Sequence, residues 1–167
     1  MTNPHNPFRL NVGFLYNQAR GSFRDFPFDL PHIQLAEDIQ TDQITGNIRI
    51  SRTSEGLLLQ GDFHTHLPAT CVRCLEDFDQ PLHVEFTDLY VFPKPRSYED
   101  TGEDAPEFVL PEDGYIDVGP LLKEYLLLEI PIKPLHDPNC KGLCPVCGAN
   151  WNDTTCEHQN PAREDVQ

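Results

Sequence analysis

The sequence predicts an α+β protein with an antiparallel, barrel-like sheet, one main helix and a C-terminal tail that binds zinc. Three observations support this class. Apolar and polar residues alternate in several segments between residues 8 and 92, which is the period of a strand with one buried face. Residues 118–130 have the period of an amphipathic helix. Four of the six cysteines follow that helix, within residues 140–156.

The strands are predicted in chain order from this alternation. Residues 8–16 alternate and predict the first strand. Residues 23–30 form a second apolar segment, but the prolines within and after it restrict it to a sheet edge or an extended stretch. Residues 44–67 alternate on both sides of the turn Ser54-Glu55-Gly56 and predict a hairpin. Residues 84–92 predict one further strand, which ends at a proline pair.

An acidic segment separates the last strand from the helix. Residues 97–118 contain eight acidic residues and no basic residue, so we expect a solvated acidic loop. The helix is predicted over residues 118–130, with Asp117 as its N-cap and Pro120 tolerated in its first turn. Its apolar stripe is expected to pack against the sheet.

These elements predict three parts of the chain. Residues 1–135 are expected to form a β-rich domain that includes the acidic loop and the helix. Residues 136–160 are expected to form a zinc-knuckle tail packed on that domain, and residues 161–167 a disordered end.

Length and charge limit the function. The chain has 167 residues, 12 of them basic and 27 acidic, with a net charge of −15, and its length suits one domain. This charge repels phosphate, so any RNA contact must be local or pass through a basic partner. Since neither a long apolar run nor a secretion signal occurs, a cytoplasmic protein without a membrane partner is expected. No motif of a catalytic or phosphate-binding site occurs, so neither an enzyme nor a small-molecule substrate is predicted.

The tail contains a strong metal-binding signal. Cys144 and Cys147 are separated by two residues and followed by Gly148, as in a zinc knuckle. Cys156 and His158 lie beyond a short loop, where they can complete a tetrahedral site. Cysteines inside a cell are usually kept reduced, so this spacing favours metal over disulfides.

Cys71 and Cys74 form a second pair at the same spacing, and His136 and Cys140 are the candidates to complete its site. Two tetrahedral Zn²⁺ sites would use six cysteines and two histidines completely. The alternative is a single ion bound by four tail cysteines, Cys140, Cys144, Cys147 and Cys156. The count alone does not assign the ligands. Closed four-ligand sites would be structural, and each would carry −1, taking the net charge from −15 to about −17.

Two other groups of residues are weaker candidates for a site. Thiol redox chemistry at Cys71 and Cys74 would favour a helix start within an alternating strand-helix pattern, but the flanking segments have the period of strands. His64 and His66 share one face of a predicted strand, and His83 could approach them. An exposed polar face explains these histidines better than a metal site.

Three blocks together resemble the YceD family of large ribosomal RNA subunit accumulation proteins. They are Cys71-Val-Arg-Cys74-Leu75, Glu124-Tyr-Leu-Leu-Leu-Glu-Ile-Pro131 and Cys140-Lys-Gly-Leu-Cys144-Pro-Val-Cys147-Gly148-Ala-Asn150. Their order and spacing cover roughly residues 8–160. The resemblance implies a cytosolic bacterial factor needed for normal accumulation of large-subunit (23S) ribosomal RNA, without known catalytic activity.

The resemblance also bears on the metal ligands. Many relatives carry cysteine where this chain has His136 and His158, which exchanges one zinc ligand type for another. Some relatives lack the distal knuckle but retain residues matching Cys71, Cys74 and Cys140. This favours a separate site for those three.

The function predicted from these observations is a non-enzymatic ribosome biogenesis factor with structural zinc. Its partner would be large-subunit precursor rRNA, contacted through Arg73, Lys133 and Lys141, or a basic large-subunit ribosomal protein held by the acidic surface. Scattered surface charge is the alternative explanation of the three basic residues. A thiol oxidoreductase using Cys71 and Cys74, and a zinc-stabilised adaptor of an unrelated complex, are alternative functions.

Overall fold

The centre of the fold is a four-stranded antiparallel sheet. A computed structural model describes residues 6–36, 39–93 and 108–159. The strands lie in the order β2-β3-β4-β5, so each is paired with its neighbours in the chain. Their bounds are β2 Phe23–Ala36, β3 Ile39–Arg52, β4 Gly56–Thr70 and β5 Asp77–Val91. A two-stranded sheet pairs β1 (Arg9–Asn11) with β6 (Tyr115–Asp117).

The predicted hairpin and the predicted edge strand are both confirmed. β3 and β4 pair antiparallel across the turn at residues 53–56, where the backbone N–H of Thr53 donates to the carbonyl oxygen of Gly56 at 2.9 Å. β2 pairs only with β3 and so lies at an edge of the four-stranded sheet. Pro27 and Pro31 lie within it, and an edge strand accommodates prolines because half of its backbone N–H groups do not take part in pairing.

The prediction that the sheet is barrel-like is wrong. The sheet is open, with β2 and β5 at its two edges. Its apolar face is covered by helix α1 (Gly119–Glu129) and by the β1–β6 pair. For example, the ring of Tyr125 on the helix stacks on Phe86 at a centroid distance of 5.1 Å. A covered apolar face is already out of water, so closure of the sheet is not needed to bury it.

The first predicted strand is wrong over most of its length. β1 has three residues, and a 3-10 helix follows at Gly13–Asn17. Phe8, Leu10 and Val12 are buried as the alternation requires, but Leu15 is buried next while Phe14 is 47% exposed. The period of two therefore ends at Val12 and changes to three.

Part of the predicted acidic loop belongs to the core. Residues 97–107 of that loop lie outside the described residues, as does the predicted end at residues 161–167. Residues 108–118 are not a solvated excursion, because they contribute β6 and three buried apolar side chains. Those side chains are Leu110, Ile116 and Val118. The acidic composition of the segment predicts a solvated loop and gives no indication of these three buried side chains.

The predicted helix is confirmed with a shifted start. It begins at Gly119, and Val118 is its N-cap in place of Asp117. A carboxylate oxygen of Asp117 instead accepts a hydrogen bond from the backbone N–H of Gly119 at 2.9 Å, one residue outside the cap position. Its buried residues are Leu121, Leu122 and Leu126, as the stripe predicted. Within the described ranges, no helix has both the length and the apolar character needed to cross a bilayer.

Candidate metal centres

The Cys71 and Cys74 pair lies in the turn that connects β4 to β5. The two strands pair up to Thr70 and Asp77, so residues 71–76 form the connection. The backbone N–H of Leu75 donates to the carbonyl oxygen of Cys71 at 2.9 Å, and the N–H of Cys71 donates to that of Glu76 at 2.8 Å. These bonds bring the two sulfur atoms to the same side of the turn, at the end of a long hairpin.

The Cys144 and Cys147 pair repeats this turn in the tail. Here the N–H of Gly148 donates to the carbonyl oxygen of Cys144 at 2.9 Å, and the N–H of Cys144 donates to that of Ala149 at 2.8 Å. The residue after the second cysteine has a left-handed backbone in both turns, with φ of 61° at Leu75 and 72° at Gly148. The protein therefore contains two knuckles of one geometry.

The first knuckle meets two residues of the tail to form the first cluster, Cys71, Cys74, His136 and Cys140. One donor atom from each of these residues lies within 4.8 Å of the others. The sulfur atoms of Cys71 and Cys140 are 3.8 Å apart, and two sulfurs bound to a tetrahedral zinc ion at ~2.3 Å would be ~3.8 Å apart. Nδ1 of His136 lies 3.2 Å from the sulfur of Cys74. The four donors could hold one metal ion.

Backbone hydrogen bonds hold the tail against this knuckle. The N–H of Val72 donates to the carbonyl oxygen of Pro134 at 3.0 Å, and the N–H of Leu143 donates to that of Arg73 at 3.1 Å. The guanidinium of Arg73 also donates to the carbonyl oxygen of Cys140 at 2.8 Å. The knuckle in the hairpin and the tail thus fix the positions of each other's ligands.

The second cluster lies entirely within the tail and contains Cys144, Cys147, Cys156 and His158, again with donor atoms within 4.8 Å of one another. Two of its sulfurs accept hydrogen bonds: Cys144 from the backbone N–H of Val146 at 3.5 Å, and Cys156 from the indole N–H of Trp151 at 3.3 Å. The described donors thus separate into the two predicted groups. Cys140 groups with Cys71, Cys74 and His136, as in the two-site prediction.

Asn152 connects the two clusters. It lies in the loop between Cys147 and Cys156, yet its side-chain amide donates to the sulfur of Cys140 in the first cluster at 3.3 Å. Its carboxamide oxygen accepts from the backbone N–H of Lys141 at 2.8 Å. Such partners orient metal ligands and stabilise thiolates.

Thiolate formation is favoured at one or more cysteines of each cluster. Burial acts to raise the pKa of Cys71, but backbone hydrogen bonds, led by that of Cys74, outweigh it and lower the pKa to about 5. Burial raises the pKa of its neighbour Cys74 to about 12. In the second cluster, the backbone hydrogen bond of Cys147 lowers the pKa of Cys144 to about 7, and the indole of Trp151 lowers the pKa of Cys156. Thiolates are the form that binds metal.

The three candidate basic residues lie around the first cluster. Arg73 is within the knuckle and uses its guanidinium to hold the tail. Lys133 precedes Pro134, which is bonded to the knuckle, and Lys141 follows Cys140. All three are exposed, but so are the acidic residues Glu76 and Asp137 beside them. The surface here is mixed in charge.

The residues that support the ligands are not among the predicted site residues. Glu76 accepts hydrogen bonds from the side chains of Cys74 and Asn150, at 3.5 and 2.9 Å, while Trp151 and Asn152 donate to sulfurs. No spacing rule identifies them, although an aromatic or amide side chain next to ligand cysteines is a signal worth testing.

A third group, Asp62, His64 and His83, has donor atoms within 4.8 Å of one another on the exposed face of the sheet. The two histidines were noticed in the sequence but Asp62 was not.

Comparison with known proteins gives several relatives. An uncharacterised protein of Mycobacterium tuberculosis is 33% identical over 102 residues, which is 61% of this chain and 48% of the relative. A Zea mays protein, "Large ribosomal RNA subunit accumulation protein YCED homolog 1, chloroplastic", is 26% identical over 149 residues, covering 68% of this chain and 48% of the relative. The uncharacterised protein YlbN of Bacillus subtilis is 33% identical over 82 residues, covering 48% and 45%. The chain spans about half the length of the curated relatives it matches.

No solved structure matches this chain. A family model described as "Large ribosomal RNA subunit accumulation protein YceD" matches residues 59–166. That match covers more than half of the chain, from β4 through both cysteine clusters. The chain therefore belongs to the YceD family of large ribosomal RNA subunit accumulation proteins.

Proposed function

We propose that this protein is a non-enzymatic ribosome biogenesis factor that supports accumulation of large-subunit (23S) rRNA, with two structural zinc ions that fix its tail on the hairpin. The observation that carries the proposal is the pair of clusters with three cysteines and one histidine each, in a chain of a family named for rRNA accumulation. Zinc with four protein ligands has no open position for water or substrate. The metal would therefore supply structure and no chemistry.

Metal content tests the zinc assignment. We expect two zinc ions per chain in protein purified under reducing conditions without chelator. Cys71→Ser should lose the ion of the first cluster and Cys156→Ser that of the second, so each variant is the matched control of the other. Elemental analysis together with titration of free thiols measures both changes.

The same experiment tests the oxidoreductase alternative. Thiol redox chemistry needs Cys71 and Cys74 as an accessible free dithiol. If reduced protein contains no stoichiometric metal and these two thiols react freely, the structural assignment is wrong and the redox alternative is favoured. If both zinc ions are present and the two thiols are protected, the redox alternative is excluded.

Charge favours a basic ribosomal protein as the direct partner over rRNA. The chain carries −15, or about −17 with two zinc sites, so its overall field repels phosphate and attracts basic proteins. The basic residues near the first cluster do not reverse this field. Arg73 is engaged with backbone carbonyls, and Glu76 and Asp137 lie beside it.

Neutralisation of part of the acidic segment at residues 97–118, called the acidic run, tests this partner. We expect the wild-type protein to retain a basic large-subunit ribosomal protein in co-purification, and a variant of the run to lose it. The variant replaces five acidic residues with their amides: Glu99, Asp100, Glu103, Asp104 and Glu107. Asp113 and Asp117 are left intact because they bind Arg9 and the helix start. A control with the same change in net charge replaces five exposed acidic residues outside residues 97–118: Glu55, Asp79, Glu85, Glu124 and Glu129.

Equal retention by both variants would contradict a specific role of the acidic run, and loss by both would indicate a general charge effect.

Direct RNA contact predicts a different result. Affinity for precursor rRNA would then fall steeply with salt. The logarithm of the binding constant would fall with the logarithm of the salt concentration at a slope of roughly −0.7 per phosphate contacted on single strands. Lys133→Gln or Lys141→Gln would make this slope less steep. Absence of the chain from pre-large-subunit particles would favour an adaptor of an unrelated complex.

A further inference from the structure

The exposed face of the sheet carries two histidines and an aspartate at adjacent positions. His64 on β4 is directly opposite His83 on β5 in the strand register, and Asp62 precedes His64 by two residues on the same face. All three side chains are exposed. Because two long paired strands fix these positions, the donors are brought together before any ligand binds.

The distances among the donor atoms suit a metal ion. Nε2 of His83 lies 3.0 Å and Nε2 of His64 lies 3.4 Å from the same carboxylate oxygen of Asp62. The two rings are stacked at 4.2 Å. Metal bonds of ~2.0–2.2 Å at angles between octahedral and tetrahedral values place two donors ~2.8–3.6 Å apart. The three donors could therefore hold one ion once the two nearly parallel rings, 11° apart, rotate toward it.

We propose that Asp62, His64 and His83 form a third metal site, which takes an exchangeable divalent transition-metal ion. Two imidazoles and one carboxylate are ligands that suit Zn²⁺, Ni²⁺, Cu²⁺ or Fe²⁺, with water in the remaining positions. Hydrogen bonds to the carboxylate hold each histidine separately, whereas an ion would join all three donors. The nearby cation on this face, Arg49, is held by Asp25 through two hydrogen bonds of 2.8 and 3.0 Å.

This site differs in kind from the two cysteine clusters. Each cluster offers four donors, which gives a closed site. Three sulfurs are buried in the first cluster, and in the second the sulfur of Cys144 is buried. The third group offers three exposed donors, so its ion keeps open positions, binds more weakly and exchanges faster. The negative charge of the whole chain raises the local concentration of cations here as elsewhere on the surface. The inference is independent of the proposed function, since it rests on the sheet alone.

Zinc binding to the full chain tests the proposal. The protein is first loaded with zinc and dialysed without chelator, and Zn²⁺ is then titrated into it by calorimetry. We expect one additional ion per chain in the wild type and none in His83→Asn or Asp62→Asn. His66→Asn is the matched control, because His66 lies on the same strand face and is exposed but faces Pro81 across the pair.

A second readout assigns the ion to its ligands and does not depend on how much zinc the cysteine clusters hold. On addition of Zn²⁺, the ring signals of His64 and His83 in nuclear magnetic resonance spectra should shift, while those of His66 should not. Unchanged circular dichroism of each variant shows that the sheet is intact. The proposal is overturned if the wild type takes up no additional ion, or if His66→Asn loses it as His83→Asn does.

Discussion

At the residue scale, the two knuckles differ in how they accommodate the same backbone. The residue after the second cysteine is left-handed in both, but it is Leu75 in the hairpin and Gly148 in the tail. A side chain in this conformation costs roughly 1–2 kcal/mol, which glycine avoids. Leu75 is 64% exposed, so little packing offsets the cost. The β4–β5 pairing and the bonds to the tail hold the turn in spite of it.

Exchange of these two residues should have opposite effects. Leu75→Gly should raise the free energy of unfolding by up to about 1 kcal/mol, since relief of the strained backbone exceeds the extra entropy of glycine in the unfolded chain. Gly148→Leu should destabilise the tail by about 1–2 kcal/mol; no atom lies within 4 Å of the position where its Cβ would be, so the cost is conformational. Urea unfolding followed by circular dichroism measures the first change and Trp151 fluorescence the second. A stabilising Gly148→Leu would contradict this account.

Within the elements, one glycine of the sheet leaves space for an aromatic ring. Gly61 on β4 is paired with Phe86 on β5, and a methyl group at Gly61 would overlap that ring. Phe86 lies in a row of rings across the buried face, between Phe63 at 6.2 Å and Tyr125 at 5.1 Å. This row joins the sheet to the helix. Its position depends on the absence of a side chain at Gly61.

Gly61→Ala should therefore destabilise the protein by about 1–3 kcal/mol, because the ring of Phe86 must move from its place in the row. The change should be much smaller in a Phe86→Leu background, which removes the overlapping ring atoms. Urea unfolding of the two single variants and the double variant gives the coupling energy. Equal costs of Gly61→Ala in both backgrounds would show that backbone conformation, and not the ring, explains the glycine.

The elements also show which parts of the fold can be predicted from sequence. The β3–β4 hairpin was predicted because its alternation is long and a turn separates its halves, and the helix because its stripe spans two turns. The first seven residues of β5 were missed because Asp77, Asp79 and Pro81 obscure their alternation, and β6 because it has only three residues in an acidic run. The spacing identified the two cysteine pairs, but the count did not assign His136 and Cys140 to the first pair. The Asp62, His64 and His83 group depends on strand register, which no local pattern reveals.

At the scale of the whole molecule, the apolar core and the two cysteine clusters lie in different parts of the fold. The main core lies between the sheet, the helix and the β1–β6 pair. A separate small cluster contains three cysteines of the first site packed with Phe78, Leu135 and Leu143. The described tail from His136 to Gln159 buries few side chains besides Cys140 and Cys144, and its Val146 is 70% exposed. Burial of apolar surface alone is therefore too small to hold the tail. The hydrogen bonds to the knuckle and, in the proposed function, zinc binding supply the rest.

Removal of zinc should consequently unfold the tail and leave the sheet folded. Structural zinc contributes roughly 10–16 kcal/mol to small metal-bound folds, whereas the main core contains none of the ligands. The single tryptophan, Trp151, donates to the sulfur of Cys156, so its fluorescence should change on chelation while the β signal in far-ultraviolet circular dichroism persists. Cys156→Ser should show the changed fluorescence before chelator is added, and Cys71→Ser should show a smaller change. Simultaneous loss of both signals would mean that the tail and sheet form one cooperative unit, and an unchanged tryptophan signal would mean that metal does not hold the tail.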